Sequence, residues 1–141
     1  MLIVSDTTPI ISLMKIEQLY LLEKMFGYIV IPKAVYDELT VNEKFVKEIL
    51  KIKEAEFVKV GEVKNDSSVN ILRNVTGLDA GESEAIVMAG EKEADLLLMD
   101  EHKGRQVAKK LGIKITGTIG ILLQAFDEGM MSKEDVKKCI L

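Results

Sequence analysis

The chain lacks the features that would place it in a membrane or in an oxidising compartment. No apolar run approaches the roughly 18–20 residues that a helix needs to cross a bilayer. The single cysteine, Cys139, has no second cysteine with which to form an internal disulfide. Met1 leads directly into an apolar run that Asp6 interrupts, which is not the pattern of a secretory signal. These absences predict a cytoplasmic protein in a reducing environment.

The chain also lacks an excess of basic residues. Its 19 Lys and Arg residues face 23 Asp and Glu residues, which gives a net charge of −4. This balance argues against a broad nucleic-acid-binding surface, which is usually basic, but it is compatible with an acidic metal centre flanked by lysines. The only histidine is His102, in a predicted loop, where a solvated side chain is more common than a catalytic one. We therefore leave His102 out of the predicted site.

The composition indicates one globular domain. The chain has 141 residues, and a domain of about 150 residues buries roughly 68–70% of its unfolded surface. Hydrophobic residues make up 48% of the chain and charged residues 30%, a balance typical of folded and not of disordered chains. No repeat, low-complexity tract or linker interrupts the sequence, so we predict a single domain over residues 1–141.

Strand and helix patterns alternate along the chain. Five apolar or alternating runs predict strands: Leu2–Ser5, Tyr28–Ile31, Phe57–Val60, Asp95–Met99 and Lys114–Thr116. Amphipathic segments predict the helices Pro9–Lys15, Ile16–Phe26, Pro32–Thr40, a helix from an Asn42 cap to Ala55, Asp79–Glu93, Lys103–Leu111, Ile119–Glu128, and a last helix that Ser132 caps. The turn-rich segment Gly61–Gly77 predicts a surface connection with one helical turn near Val69–Val75. The alternation predicts a three-layer α/β/α sandwich around a parallel sheet.

Two of the predicted strands end in a carboxylate. Asp6 follows the first strand, and Asp100 follows the apolar run Leu96–Met99. In open α/β sheets, sites form beyond the carboxyl ends of the strands. Two unit charges ~4 Å apart repel by ~4 kcal/mol at an effective dielectric near 20, so clustered carboxylates need a divalent cation or bound protons. The pattern points to metal-dependent chemistry.

Five segments, taken in order, resemble the PIN domain superfamily. They are Ser5–Pro9, Ile31–Leu39, Leu78–Ile86, Asp95–Asp100 and Gly117–Leu122. The resemblance covers nearly the whole chain and is greatest to a prokaryotic, often archaeal, PIN-like branch. It implies a divalent-metal-dependent endoribonuclease, of the VapC-like kind that acts as the toxin of a toxin–antitoxin pair. It also implies an RNA substrate, a homodimer, and an antitoxin-like protein partner.

The resemblance assigns both metal binding and catalysis to four acids, with Mg²⁺ or Mn²⁺ as the ion. The acids at the matching motif positions are Asp6, Glu38, Glu82 and Asp100. Glu84 lies two residues after Glu82, and either glutamate can be the third acid. Asp79 and Glu82 also have the spacing of a helix capping box, which is a competing role for Glu82.

Substrate binding is implied for three further residues, which are Thr8, Arg105 and Thr118. Thr8 matches the small polar residue that supports the first acid. Arg105 shares a predicted helix face with Lys109 and offers positive charge to a phosphate. For Lys109 and Lys110 an ordinary solvated helix surface is the favoured interpretation.

Two other functions compete with the nuclease. The first is a catalytically silent PIN-like protein that acts as a protein- or nucleic-acid-binding module. The complete acid set argues against it, because a silent relative would be free to lose Asp6 or Asp100. The second is a phosphatase that forms an aspartyl phosphate. That chemistry needs a second Asp two residues after the first, and Thr8 occupies the position.

Overall fold

A computed structural model of the chain describes residues 1–41 and 46–140. Within these residues the strands are β1 (Ile3–Ser5), β2 (Ile29–Pro32), β3 (Val58–Gly61), β4 (Leu96–Leu98) and β5 (Ile115–Thr116). All paired strands are parallel, and the order across the sheet is β3-β2-β1-β4-β5. The predicted parallel sheet is confirmed.

Helices connect the strands and flank the sheet. In the described residues they are α1 (Thr7–Lys15), α2 (Leu21–Phe26), α3 (Lys33–Thr40), α4 (Val46–Glu54), α5 (Asp66–Thr76), α6 (Ala80–Glu91), α7 (His102–Lys110), α8 (Thr118–Asp127) and α9 (Lys133–Ile140). The predicted cap of α9 is present, since Ser132 Oγ accepts a hydrogen bond from the Asp135 amide at 3.1 Å. Asn42, the predicted cap of α4, lies outside the described residues.

The prediction of a surface connection at Gly61–Gly77 was wrong, because most of that segment is α5. Asn65 does not begin a loop. Its side chain accepts a hydrogen bond from the Ser68 amide at 3.1 Å and so caps the first turn. Gly77 ends the helix in the left-handed conformation, with φ +77°, which glycine adopts without steric cost. The Asn-Asp-Ser-Ser sequence is therefore a helix start.

The core lies in two layers because successive strand side chains point to opposite faces. On one face, Ile3 and Leu98 pack with buried residues of α1, α2, α3, α4, α8 and α9. On the other face, Val4 and Leu97 pack with buried residues of α6 and α7. The partly buried Leu72 of α5 packs against this cluster. The predicted three-layer α/β/α sandwich is confirmed.

The topology places a crevice beyond β1 and β4. The chain passes from β1 to β2 and β3 on one side, and then crosses to β4 and β5 on the other side. The direction of winding therefore changes between β1 and β4, and ligands in such sheets bind outside the carboxyl ends at this point. The Asp6 amide donates to the Leu98 carbonyl at 2.9 Å, which fixes the ends of both strands together. In the described ranges, no helix is both long enough and apolar enough to span a membrane.

Candidate active site

Asp6 is the buried centre of the acidic group at this crevice. It occupies the residue before α1, yet its side chain makes no capping hydrogen bond, and the residue is only 3% exposed. Burial raises the pKa of Asp6 to about 7, against a smaller lowering by the Thr7 amide. The negative charges of Asp79, Glu38 and Asp100 raise the pKa further. The Asp6 carboxyl is therefore held among other acids, in surroundings that favour its neutral form.

Glu38 reaches the group from α3. Its Oε2 accepts a hydrogen bond from the Thr7 hydroxyl at 2.8 Å, which ties α3 to the residue after Asp6. Its carboxylate also lies against the first turn of α6, so close to Gly81 that a Cβ there would overlap Oε1. Burial raises the pKa of Glu38, although the hydrogen bond from Thr7 lowers it in part.

Asp100 reaches the group from the end of β4. Its Oδ1 accepts from the Thr118 amide at 2.7 Å, and its Oδ2 accepts from the Thr118 hydroxyl at 2.6 Å. Arg105 donates to the Met99 carbonyl at 3.1 Å, one residue before Asp100. Two predicted substrate-binding residues, Arg105 and Thr118, thus lie beside an acid of the group. Their contact with a substrate stays a prediction.

The capping box at the start of α6 is formed. The Asp79 carboxylate accepts from the Glu82 amide at 2.8 Å, and the Glu82 carboxylate accepts from the Asp79 amide at 3.0 Å. Burial raises the pKa of Glu82 to about 7. Glu84, the other candidate for the third acid, accepts instead from the Ala34 amide at the start of α3, at 3.2 Å. Both glutamates therefore support a helix terminus, and the metal role of Glu82 stays a prediction.

The structure brings three of the four predicted acids together with one that was not predicted. The charges of Glu38 and Asp100 act on Asp6, and the charge of Asp79 acts on Asp6, Glu38 and Glu82. Glu82 is absent from the charges that act on Asp6. Sequence reasoning assigned Asp79 only to the cap. Its place three residues before Glu82 indicated the cap, and nothing in the sequence indicated that its charge would also act on Asp6 and Glu38.

Thr7 is the other residue that sequence reasoning missed. Thr7 is buried and bonded to Glu38, whereas the predicted Thr8 is exposed. The two threonines are adjacent, and only the direction in which α1 leaves the sheet decides which one faces Glu38. No pattern in the sequence carries that information.

The donor set suits a hard divalent cation by charge and by chemistry. Every member offers carboxylate oxygens, the ligands that Mg²⁺ and Mn²⁺ prefer. Across residues 1–41 and 46–140, the one ion pair within 4.0 Å is Lys33–Asp37 at 3.8 Å, so no basic side chain there forms an ion pair with an acid of the group. Within the same residues, no three His, Cys, Asp or Glu side chains are oriented to hold one ion. Glu38, Glu82 and Asp100 each accept internal hydrogen bonds instead.

The parallel sheet and the acids beyond β1 and β4 define the chain as an α/β protein of the PIN class. A family model described as a PIN domain matches residues 2–141, and the chain belongs to this PIN domain family. PIN domains are generally nucleases, and their substrates are nucleic acids. No curated protein matches the chain significantly.

Proposed function

We propose that the protein is a divalent-metal-dependent ribonuclease that hydrolyses RNA phosphodiester bonds. One observation supports this most directly: Asp6 is buried beside Glu38, Asp79 and Asp100, and no described basic side chain pairs with any of them. Burying the Asp6 carboxylate beside other negative charges without a cationic partner is costly, so a cation is the natural complement of the group. Membership of a nuclease family supports hydrolysis of a phosphodiester as the reaction.

Four residues are proposed to hold Mg²⁺ or Mn²⁺: Asp6, Glu38, Glu82 and Asp100. When bound, the metal would lower the pKa of a water and neutralise charge on the phosphate. Asp6 and Asp100 would anchor the ion, and Glu38 and Glu82 would orient the attacking water. The expected products carry a 5′-phosphate and a 3′-hydroxyl.

The chain's own hydrogen bonds would keep these carboxylates in place during the reaction. Thr118 holds Asp100 through two donors, and Thr7 holds Glu38 through one. Such donors fix the orientation of ligating groups, and their loss usually weakens metal affinity or activity. Thr8 and Arg105, at the rim of the group, are proposed to contact the RNA.

Cleavage of labelled RNA in Mn²⁺ tests the proposal. We expect wild-type protein to cleave 5′-labelled RNA, the Asp6→Asn variant to be inactive, and the exposed Asp127→Asn variant to match wild type. Analysis of the fragment ends should find the 5′-phosphate and the 3′-hydroxyl. Equal cleavage by wild type and Asp6→Asn would overturn the proposal, because the activity would then come from a contaminant.

Thermal unfolding gives a second readout that does not depend on activity. A ligand at about 100 times its Kd stabilises the folded state by about 2.7 kcal/mol. We expect Mn²⁺ to raise the melting temperature of wild type and to leave that of Asp6→Asn unchanged. Calorimetric titration should give heat with wild type and none with Asp6→Asn.

We also propose that the nuclease is a cytoplasmic toxin, with an antitoxin-like protein as its partner and a second copy in a homodimer. Exposed apolar side chains on the last two described helices support a protein contact: Ile119, Leu123, Phe126 and Ile140 are 42–59% exposed. Size-exclusion chromatography with light scattering tests the dimer, and a monomer at micromolar concentration would reject it.

The second candidate function is a catalytically silent PIN domain that binds a protein or a nucleic acid. It is favoured because, within residues 1–41 and 46–140, no three His, Cys, Asp or Glu side chains are placed to hold one metal ion, while Glu38, Glu82 and Asp100 accept internal hydrogen bonds. The two candidates differ in the cleavage assay. A silent protein would bind RNA and leave it intact in Mg²⁺ and in Mn²⁺.

A further inference from the structure

A polar cleft lies beside the acidic group, where α5 ends and the chain turns into α6. Its volume is about 440 Å³. The lining residues are Asn70, Arg73, Asn74, Gly77 and Leu78. Leu78 is buried and closes the cleft towards the core, whereas the asparagine and arginine side chains are exposed. The cleft thus offers amide and guanidinium groups over an apolar floor.

Two cations belong to this cleft. Arg73 lines it directly, and the Lys103 ammonium comes from α7 to the lining residue Gly77, 3.4 Å from where a Cβ at that glycine would stand. Neither side chain has an acidic partner within 4.0 Å among residues 1–41 and 46–140. The chain has a net charge of −4, so two cations without an acidic partner make the surface at this cleft locally positive.

The cleft is next to the acids along the chain and in space. Gly77 is two residues from Asp79, which is at most about 7 Å of extended backbone. On the other side, the Glu101 carboxylate accepts from the Lys103 amide at 3.0 Å and interacts with Glu82. A strand that presents one phosphate to the acidic group therefore has a neighbouring phosphate within reach of Arg73 and Lys103.

We propose that this cleft binds a backbone phosphate of single-stranded RNA, one that flanks the bond at the acidic group. The inference rests on the proposed nuclease function. Arg73 and Lys103 supply the charge, since both side chains bind phosphate oxygens well. Asn70 and Asn74 lie one helical turn apart on α5 and present amides beside Arg73, where they can bond to the sugar or to a base edge. In this arrangement the acidic group cleaves the phosphodiester bond, and the cleft binds the neighbouring phosphate of the same strand.

Binding without cleavage tests this assignment separately from the nuclease. A fluorescein-labelled oligouridine is titrated with protein in EDTA, and the anisotropy is followed at several salt concentrations. We expect the double variant R73Q/K103Q to bind about tenfold more weakly than wild type. Its salt dependence should also be lower, by about 0.7 in the slope of log K against log salt, because the contact with one phosphate is lost.

The matched control is the double variant K109Q/K110Q, which removes the same charge from the far end of α7. We expect it to bind within about twofold of wild type, because six residues of helix put it about 9 Å along the axis from Lys103. Equal losses of RNA affinity in both double variants would overturn the proposed binding at the cleft, because RNA would then be attracted by positive charge anywhere on the surface. So would unchanged binding by R73Q/K103Q, or no binding by wild type.

A DNA oligonucleotide of the same sequence reports on what the cations contact. We expect R73Q/K103Q to weaken DNA and RNA by similar factors, because both strands carry the same phosphates. A loss of affinity for RNA alone would overturn the proposal that Arg73 and Lys103 bind the phosphate backbone. The Mn²⁺ cleavage assay can fail while this binding is retained. The failure of the nuclease proposal can therefore be distinguished from the failure of the RNA-binding proposal.

Discussion

Thr118 holds both oxygens of the Asp100 carboxylate, with its amide 2.7 Å from Oδ1 and its hydroxyl 2.6 Å from Oδ2. Thr118 is the first residue of α8, the helix that follows β5 in the chain. The two hydrogen bonds therefore join the end of β4 to the start of α8. Hydrogen bonds to a charged acceptor are stronger than neutral ones and fix its orientation. The orientation of the Asp100 carboxylate in the acidic group is therefore fixed by Thr118.

Replacing Thr118 by valine should destabilise the protein and misorient Asp100. Thr118→Val keeps the amide donor and removes the hydroxyl, so we expect the free energy of unfolding at pH 8 to fall by about 1.5–3 kcal/mol. Urea denaturation measures the change. Thr40→Val is the matched control, because the Thr40 hydroxyl donates only to the neutral Tyr36 carbonyl, for which about 1 kcal/mol is expected. Equal losses in the two variants would contradict the special role of Asp100 as acceptor.

The sequence was sufficient to predict the sheet and the meeting of Asp6 and Asp100. Short apolar runs with an acid directly after them identify buried parallel strands, and parallel strands carry their carboxyl ends to one edge. The start of α5 was mistaken for a turn because Asn65 and the residues after it suit both a turn and a helix cap. Only the packing of α5 against α6 decides between the two.

The finer arrangement of the site depends on contacts between distant segments. Glu84 bonds to the Ala34 amide across 50 positions, and Thr7 bonds to Glu38 across 31. Each contact follows from how two helices pack, and no local pattern encodes it. For this reason the sequence identified the acids but could not say whether Glu82 or Glu84 would face Asp6.

The stability of the metal-free protein should fall as the pH rises. Because the pKa of Asp6 is raised from 3.8 to about 7 on folding, mainly by burial, the folded chain takes up the proton first as the pH falls. Protonation thus stabilises the fold, and this stabilisation is lost between about pH 4 and pH 7, with a cost of about 4 kcal/mol for a shift of this size. Urea denaturation in EDTA between pH 5 and pH 8 measures the last two pH units of this loss, which amount to about 2.7 kcal/mol.

The Asp6→Asn variant is the direct test of that pH dependence. Without the buried carboxyl, stability should vary less between pH 5 and pH 8, and at pH 8 the variant should exceed wild type. Glu82, whose pKa burial raises to about 7, and Glu38, whose pKa is also raised chiefly by burial, should leave a residual slope. The exposed Asp127→Asn variant should keep the wild-type slope. A wild-type slope in Asp6→Asn would mean that another group carries the effect.

Gly81 should be required for the position of Glu38 and not for the fold. A Cβ at position 81 would overlap the Glu38 carboxylate, whereas a Cβ at Gly90, on the same helix, meets nothing within 4 Å. Since the Glu38 side chain can swing away, Gly81→Ala should fold with a free energy of unfolding within about 1 kcal/mol of that of Gly90→Ala. We expect RNA cleavage in Mn²⁺ to fall about tenfold in Gly81→Ala, with the wild-type rate in Gly90→Ala. Equal rates in the two variants would remove Glu38 from the proposed site.

Glu82→Gln separates the two roles of Glu82. The amide oxygen of glutamine still accepts the hydrogen bond from the Asp79 amide, so the capping box should be preserved and the stability at pH 8 should not fall. The carboxylate charge is lost, and if Glu82 orients the attacking water, cleavage should fall about a hundredfold. Glu84→Gln is the matched control, because its amide oxygen can still accept from Ala34 at the start of α3, and we expect wild-type cleavage. Full activity in Glu82→Gln would leave this residue as a helix cap alone, and a loss confined to Glu84→Gln would move the third acid to Glu84.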